Sequence, residues 1–258
     1  MDFYLFSLVS VAFVLLATNI NSVHALSFNF TELTPSNPDL MLQGDAHFIA
    51  TSGFVALTNG STDRATGRAL YKTPVTLWNE TTGQVTSFYT SFSFIAECPE
   101  GRTANDGLIF FIAPPNTEIP ENSESQYLGV VDSKDATNQF VGLEFDLYSD
   151  TFDPKMKHIG IDVNSLISLR TEKWNWVNGS WTKVSIIYDS PSKTLSALVT
   201  YESGEYTSIA QAVDLKTVLP NIVSIGFSAT TISAASHIIH SWSFRSNLET
   251  TTSNVSDI

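Results

Sequence analysis

The chain is short of cysteine, of basic residues and of long apolar runs, and each shortage removes a class of explanation. A single cysteine, Cys98, in 258 residues excludes an intrachain disulfide, so stability must come from a core of ordinary size. Only 13 Lys and Arg stand against 26 Asp and Glu, for a formal net charge of −13. Such a surface cannot neutralise a phosphate backbone, and no nucleic-acid partner is expected. After the first residues no apolar run reaches the roughly 18 positions that a membrane span needs, so no span is expected in the folded part. The run from Phe3 to Ala17 is itself too short to cross a bilayer, and residues 1–25 contain no Lys or Arg. With Val23 and Ala25 placed as a signal peptidase requires, it reads as a signal peptide cut after Ala25. Residues 1–25 are set aside as that signal, 26–245 as one domain, and 246–258 as a polar tail open to removal. The protein is expected in the secretory pathway, secreted or vacuolar.

What is plentiful is alternation. Apolar segments after residue 26 repeat with period two and are rich in Val, Ile, Phe, Tyr and Thr, the pattern of half-buried strands. Between Val85 and Phe94, for example, Phe88, Phe92 and Phe94 share one face while Ser87, Ser91 and Ser93 share the other. Further strands are predicted over 26–33, 46–57, 68–78, 107–113, 139–148, 158–171, 181–189, 194–202, 205–213, 222–228 and 237–245. A five-residue loop, Asp189 to Lys193, reads as a hairpin turn, and only Asp214 to Leu219 looks helical. Many short strands with antiparallel connections predict an all-β jelly-roll sandwich of two antiparallel sheets. Asn-X-Ser/Thr acceptors at Asn29, Asn59, Asn79, Asn178 and Asn254 fit an exported glycoprotein with glycans on surface loops.

Chemistry concentrates between Glu144 and His158. Glu144, Asp146, Asp150 and Asp153 place four carboxylates beside the imidazole of His158. On a strand Glu144 and Asp146 project from one face, and the following loop can return Asp150 and Asp153 towards them. Oxygen ligands, with a main-chain carbonyl such as that of Tyr148, suit Ca²⁺, whereas an imidazole among carboxylates suits a transition ion such as Mn²⁺. The spacing is not that of an EF-hand. Spacing alone leaves a solvated acidic loop with an incidental histidine as an equal reading.

The motifs decide between these readings. Phe140-Val-Gly-Leu-Glu-Phe-Asp146, Asp153-Pro154 and His158-Ile-Gly-Ile-Asp-Val-Asn-Ser165 together resemble the metal-binding core of the legume lectins. The likeness extends to Leu26-Ser-Phe-Asn-Phe30, Asp106-Gly-Leu-Ile-Phe-Phe-Ile-Ala-Pro114, Tyr127-Leu-Gly129, Gly226-Phe-Ser-Ala-Thr-Thr231 and Ser241-Trp-Ser-Phe244. The resemblance implies a lectin jelly roll, paired into homodimers or homotetramers, that binds a mono- or oligosaccharide of glycoconjugates. It implies Mn²⁺ on Glu144, Asp146, Asp153 and His158, with Ser168 acting through water. It implies Ca²⁺ on Asp146, the Tyr148 carbonyl, Asp150 and Asp153.

The same resemblance places the sugar among Asp106, Gln126, Tyr148, Asp150, Ser233 and Ala234, with a cis peptide expected before Asp106. Five residues depart from the family pattern, the first being Asn105, which stands where a small residue is usual. Ser125-Gln126 stands where Gly-Gly is usual, Asp150 where Asn is usual, and Ile232 replaces a glycine in the 232–235 loop. An aspartate can ligate calcium but cannot donate to a sugar hydroxyl. The alternative reading is a lectin-like defence or storage protein without sugar binding. No enzymatic activity is expected, because Tyr148 and Ser149 stand where a jelly-roll glycosidase would carry its acid/base Glu after Asp146.

Overall fold

The computed structural model describes residues 26–132 and 138–247. The expected signal peptide, most of the expected tail and Asn254 lie outside the described residues. Two eight-stranded antiparallel sheets form the body. The first runs β14 (Tyr206–Ala212), β13 (Thr194–Tyr201), β12 (Trp181–Asp189), β7 (Ser87–Glu97), β16 (Ser236–Asn247), β4 (Phe54–Thr58), β3 (His47–Ile49), and β1 (Ser27–Phe30) also pairs with β16. The second runs β11 (Arg170–Lys173), β10 (His158–Val163), β9 (Val141–Asp146), β8 (Gly107–Ala113), β15 (Ile222–Thr231), β5 (Ala65–Tyr71), β2 (Leu40–Gly44), and β6 (Val75–Thr76) pairs with β15. The expected all-β sandwich is therefore what the chain adopts.

The alternation explains how the layers meet. Phe92 and Phe94 of β7 reach the second sheet, with ring centroids 4.8 Å from Phe227 and 4.9 Å from Phe145 respectively. Trp242 of β16 joins the same contact at 4.9 Å from Phe227, and its Nε1 donates to Thr90 Oγ1 at 3.0 Å. Edge-to-face rings with a satisfied indole stabilise such a layer beyond the burial of their area.

Local chemistry shifts several predicted boundaries. The 46–57 segment splits into β3 and β4 around Gly53, which adopts a left-handed φ of 69°. The 158–171 segment breaks after Val163, where Asn164 takes φ 54°, and chain direction reverses into β11. β2 was not expected, because its short Leu40–Gly44 run follows a polar stretch and pairs only with β5. In the β12–β13 hairpin Asp189 pairs with Thr194, so the loop is one residue shorter than predicted. The helical segment is a single turn, α1 (Leu215–Val218), flanked by Asp214 and Leu219.

The acceptor asparagines differ in what their side chains do. Asn29 is exposed on β1 rather than on a loop, while Asn59 and Asn79 cap turns by accepting backbone N–H groups through Oδ1. Asn178 is engaged on both sides: its Oδ1 accepts from Cys98 N at 2.7 Å and its Nδ2 donates to Cys98 O at 3.0 Å. The nitrogen that a glycan would substitute is thus the one that clamps residues 174–180 to the end of β7. We expect Asn178→Ala to destabilise the fold by about 1–3 kcal/mol in a denaturant titration, and an unchanged transition midpoint would overturn the clamp.

Candidate functional site

The antiparallel pairing of β9 with β10 sets His158 opposite Asp146 and Gly160 opposite Glu144. One ligand atom from each of Glu144, Asp146 and His158 lies within 4.8 Å of the others. His158 Nε2 is 2.9 Å from Glu144 Oε1. That is close to the roughly 3 Å between neighbouring ligands on an octahedral ion with ~2.1 Å bonds. Gly160 makes this possible, since a Cβ there would run into Glu144 Oε1 and Ser168 Oγ.

Asp153 and Asp150 arrive from the following loop. Asp153 Oδ2 accepts from Asp150 N at 2.8 Å, and Asp146 Oδ1 accepts from Tyr148 N at 2.6 Å, so the carboxylates also shape the backbone between them. Asp153 stands beside the Glu144, Asp146 and His158 group rather than within it.

Electrostatics show why this corner asks for a cation. Burial, then the charges of Glu144 and Asp153, push Asp146 far above the carboxylate range. Burial also raises Asp153, to about 6, with Glu144 and Asp150 adding to it. Burial alone would lower His158, but its hydrogen bond to Glu144 and the nearby carboxylates leave it raised. The buried His158 Nδ1 finds no hydrogen-bond partner. A carboxylate and imidazole set of this kind fits a divalent ion.

Asp162 in this centre and Ser125 beside Asp106 were given no bonding role by the sequence. Asp162 is fully buried on β10, on the same face as His158 and Gly160, and strand alternation alone could have flagged it. Ser168 Oγ lies 2.6 Å from Glu144 Oε1 and 2.7 Å from Asp162 Oδ1. A hydroxyl has one proton, so only one of these contacts can be its donation. The other needs a proton on a carboxyl, and burial together with Glu144 pushes Asp162 well above the usual range. Ser125 is the second such residue. Its Oγ donates to Asp106 Oδ1 at 3.1 Å.

The expected sugar residues gather on the adjoining rim. Asp106 is 4 % exposed, and burial raises its carboxyl to about 6, with the charge of Asp150 contributing. Its Oδ2 has no partner, and its carbonyl accepts from Leu147 N at 2.8 Å. The expected cis bond is not found: the Asn105–Asp106 peptide is trans. The trans form is favoured by roughly 3–4 kcal/mol in a non-proline peptide. Here hydrogen bonds hold that segment without it, Ser233 Oγ donating to Thr103 O at 2.6 Å or Asn105 Oδ1 at 2.7 Å. Gln126 sits half-buried in the 3-10 turn Ser125–Tyr127, and Ser125 takes the φ of 56° that a glycine would adopt more easily. Tyr148 is 45 % exposed, Asp150 half-buried, and Ala234 is buried in a left-handed conformation with φ 61°.

A family model described as the legume lectin domain matches residues 25–257. A non-seed lectin of Pisum sativum is 62% identical over 257 residues, covering 97% of this chain and 96% of that protein. The Lotus tetragonolobus seed lectin superposes with a TM-score of 0.83 at 48% identity, covering 87% of this chain and 100% of that one. Lectin I of Ulex europaeus, solved in complex with the methyl glycoside of α-L-fucose, superposes at 0.80 with 38% identity, covering 87% and 98%.

The raised carboxyls give this centre a definite pH signature. A carboxyl whose folded pKa exceeds its unfolded value contributes stability that is complete below about pH 4 and lost as pH climbs through the folded value. That window reaches about 6 for Asp153 and Asp106 and about 9 for Asp146. In chelator the melting temperature should therefore fall between about pH 5 and 8, while the gain on adding Ca²⁺ and Mn²⁺ should grow over that interval as cations replace protons. Scanning fluorimetry checks both slopes, and a metal-induced gain that is flat with pH would contradict the assigned donor set.

Proposed function

We propose that this chain, which belongs to the legume lectin family, is a secreted or vacuolar Ca²⁺/Mn²⁺-dependent lectin that takes a hexose of a glycoconjugate at Asp106. The carrying observation is the state of that carboxylate. One oxygen is tied by Ser125, the other is buried without a partner, the charge of Asp150 acts on the carboxyl, and Ser233 bonds Thr103 or Asn105 just before it. A hexose diol supplies the donor that Asp106 Oδ2 lacks.

Bound ions would neutralise the acidic corner and hold the 147–157 loop, with Mn²⁺ on Glu144, Asp146, Asp153 and His158 and Ca²⁺ on Asp146, Tyr148 O, Asp150 and Asp153. The chain's own groups then do the recognition. Asp106 accepts from hydroxyls, the exposed Tyr148 ring offers a stacking face, and the Ser233 hydroxyl pins the opposite loop to residues 103–105. Asp150 weakens this arrangement, because it puts an acceptor and a charge near Asp106 where a donor would serve. That observation sustains the second reading, a defence or storage protein that keeps the fold and loses the sugar. We read the chain as non-catalytic, and as self-associating into dimers or tetramers.

A glycan array run with both ions and again with chelator tests the proposal. Binding should appear only with ions and vanish in Asp106→Asn, and Asp150→Asn should strengthen it about tenfold or more. No bound glycan, or an Asp106→Asn profile equal to the parent's, would favour the second reading.

A further inference from the structure

A cleft of about 370 Å³ opens between the chain joining β11 to β12 and the turn joining β13 to β14, and none of its lining residues belongs to the site above. Trp174 and Tyr201 contribute buried surface, Trp176 and Trp181 half-buried surface, and Glu202 and Glu205 exposed carboxylates, with Lys173 at the edge. Much of this lining is held in place. Trp176 Nε1 donates to Ala96 O at 3.0 Å, and the Tyr201 hydroxyl accepts from Asn175 N at 3.2 Å and bonds Thr207 Oγ1 at 2.8 Å. Trp174 is 2 % exposed, yet its Nε1 finds no acceptor, which is uncommon for a buried donor. Val177, also in the lining, is left 63 % exposed.

We infer that this cleft is a second saccharide site, separate from Asp106, that takes one neutral pyranose. The volume falls in the lower range of small-ligand pockets. The lining chemistry narrows the ligand class by elimination. A hydrocarbon would desolvate Glu202 and Glu205 without replacing their water. An anion would face two carboxylates. A cation would meet Lys173 in the lining and the ammonium of Lys157, which already stands 5.1 Å from the centroid of the Trp176 ring. A pyranose brings a C–H face for the half-buried rings of Trp176 and Trp181 and hydroxyl donors for Glu202 and Glu205.

The test uses the metal-loaded Asp106→Asn chain, in which the first site is disabled, so a failure here says nothing about that site. Methyl glycosides of mannose, glucose, galactose and N-acetylglucosamine are titrated while the indole ¹⁵N–¹H resonances of the 5 tryptophans are followed. The Trp174 signal is assigned with Trp174→Phe. A saturable shift of the Trp174 and Trp176 resonances is expected for at least one glycoside, weakened about tenfold by Glu202→Gln, whose amide oxygen can still accept the Trp181 N–H that Glu202 Oε2 accepts at 3.3 Å. No saturable shift with any glycoside, or a shift produced by free indole but by none of the sugars, overturns the proposal.

Discussion

A carboxylate has no stable place inside a dry β-sandwich unless a proton, a donor or a cation stands beside it. Glu144, Asp146 and Asp162 are all buried on two adjacent strands, with Asp153 close enough to raise Asp146 further. Much of the surrounding structure answers to that crowding. Gly160 gives up its side chain so that the Glu144 carboxyl and Ser168 fit, and His158 supplies a nitrogen to Glu144. A divalent cation would offset the charge of these carboxyls, and ion binding and the integrity of this corner would then be one equilibrium.

That equilibrium extends to the rim through the backbone. Asp146 and Asp153 each accept a main-chain N–H from the segment they flank, at Tyr148 and Asp150 respectively. Leu147 N then reaches across to the carbonyl of Asp106. Asp146, Asp153, the exposed Tyr148 and Asp106 therefore share one short hydrogen-bonded unit.

Sandwich architecture was legible in the sequence because alternation reports directly on which face is buried, and the Phe88 to Phe94 run behaves as its period predicts. Breaks at Gly53 and Asn164 were not, since each depends on one residue taking a left-handed backbone inside an otherwise extended stretch. Glu144, Asp146 and His158 were legible as a cluster because β9 and β10 are nearly contiguous in the chain. Asp162 was visible as the next inward position on β10 but lacked a reason to be singled out until Ser168 and Glu144 were seen to converge on it. Ser125 was legible only as a departure from the Gly-Gly pattern: its hydrogen bond to Asp106 joins residues nineteen apart through a turn whose shape only the fold reveals.

Ser125 also bears on what the rim can recognise. A glycine in its place would leave both Asp106 oxygens open, whereas here one is held by a hydroxyl and only Oδ2 is free to accept. Ser125 also spends a left-handed conformation to make that contact, at a cost of order 1 kcal/mol or more. Asp150 would work in the same direction, because its charge acts on the Asp106 carboxyl where a proposed sugar hydroxyl would need a donor. At the proposed site both residues would reduce the number of directional bonds available to a single hexose. If the proposed site holds, such a rim would rely more on shape and stacking, for which the exposed Tyr148 ring and the exposed side chain of Ile232 are available. Selectivity built that way would discriminate by the presence of an apolar sugar face rather than by the orientation of one hydroxyl.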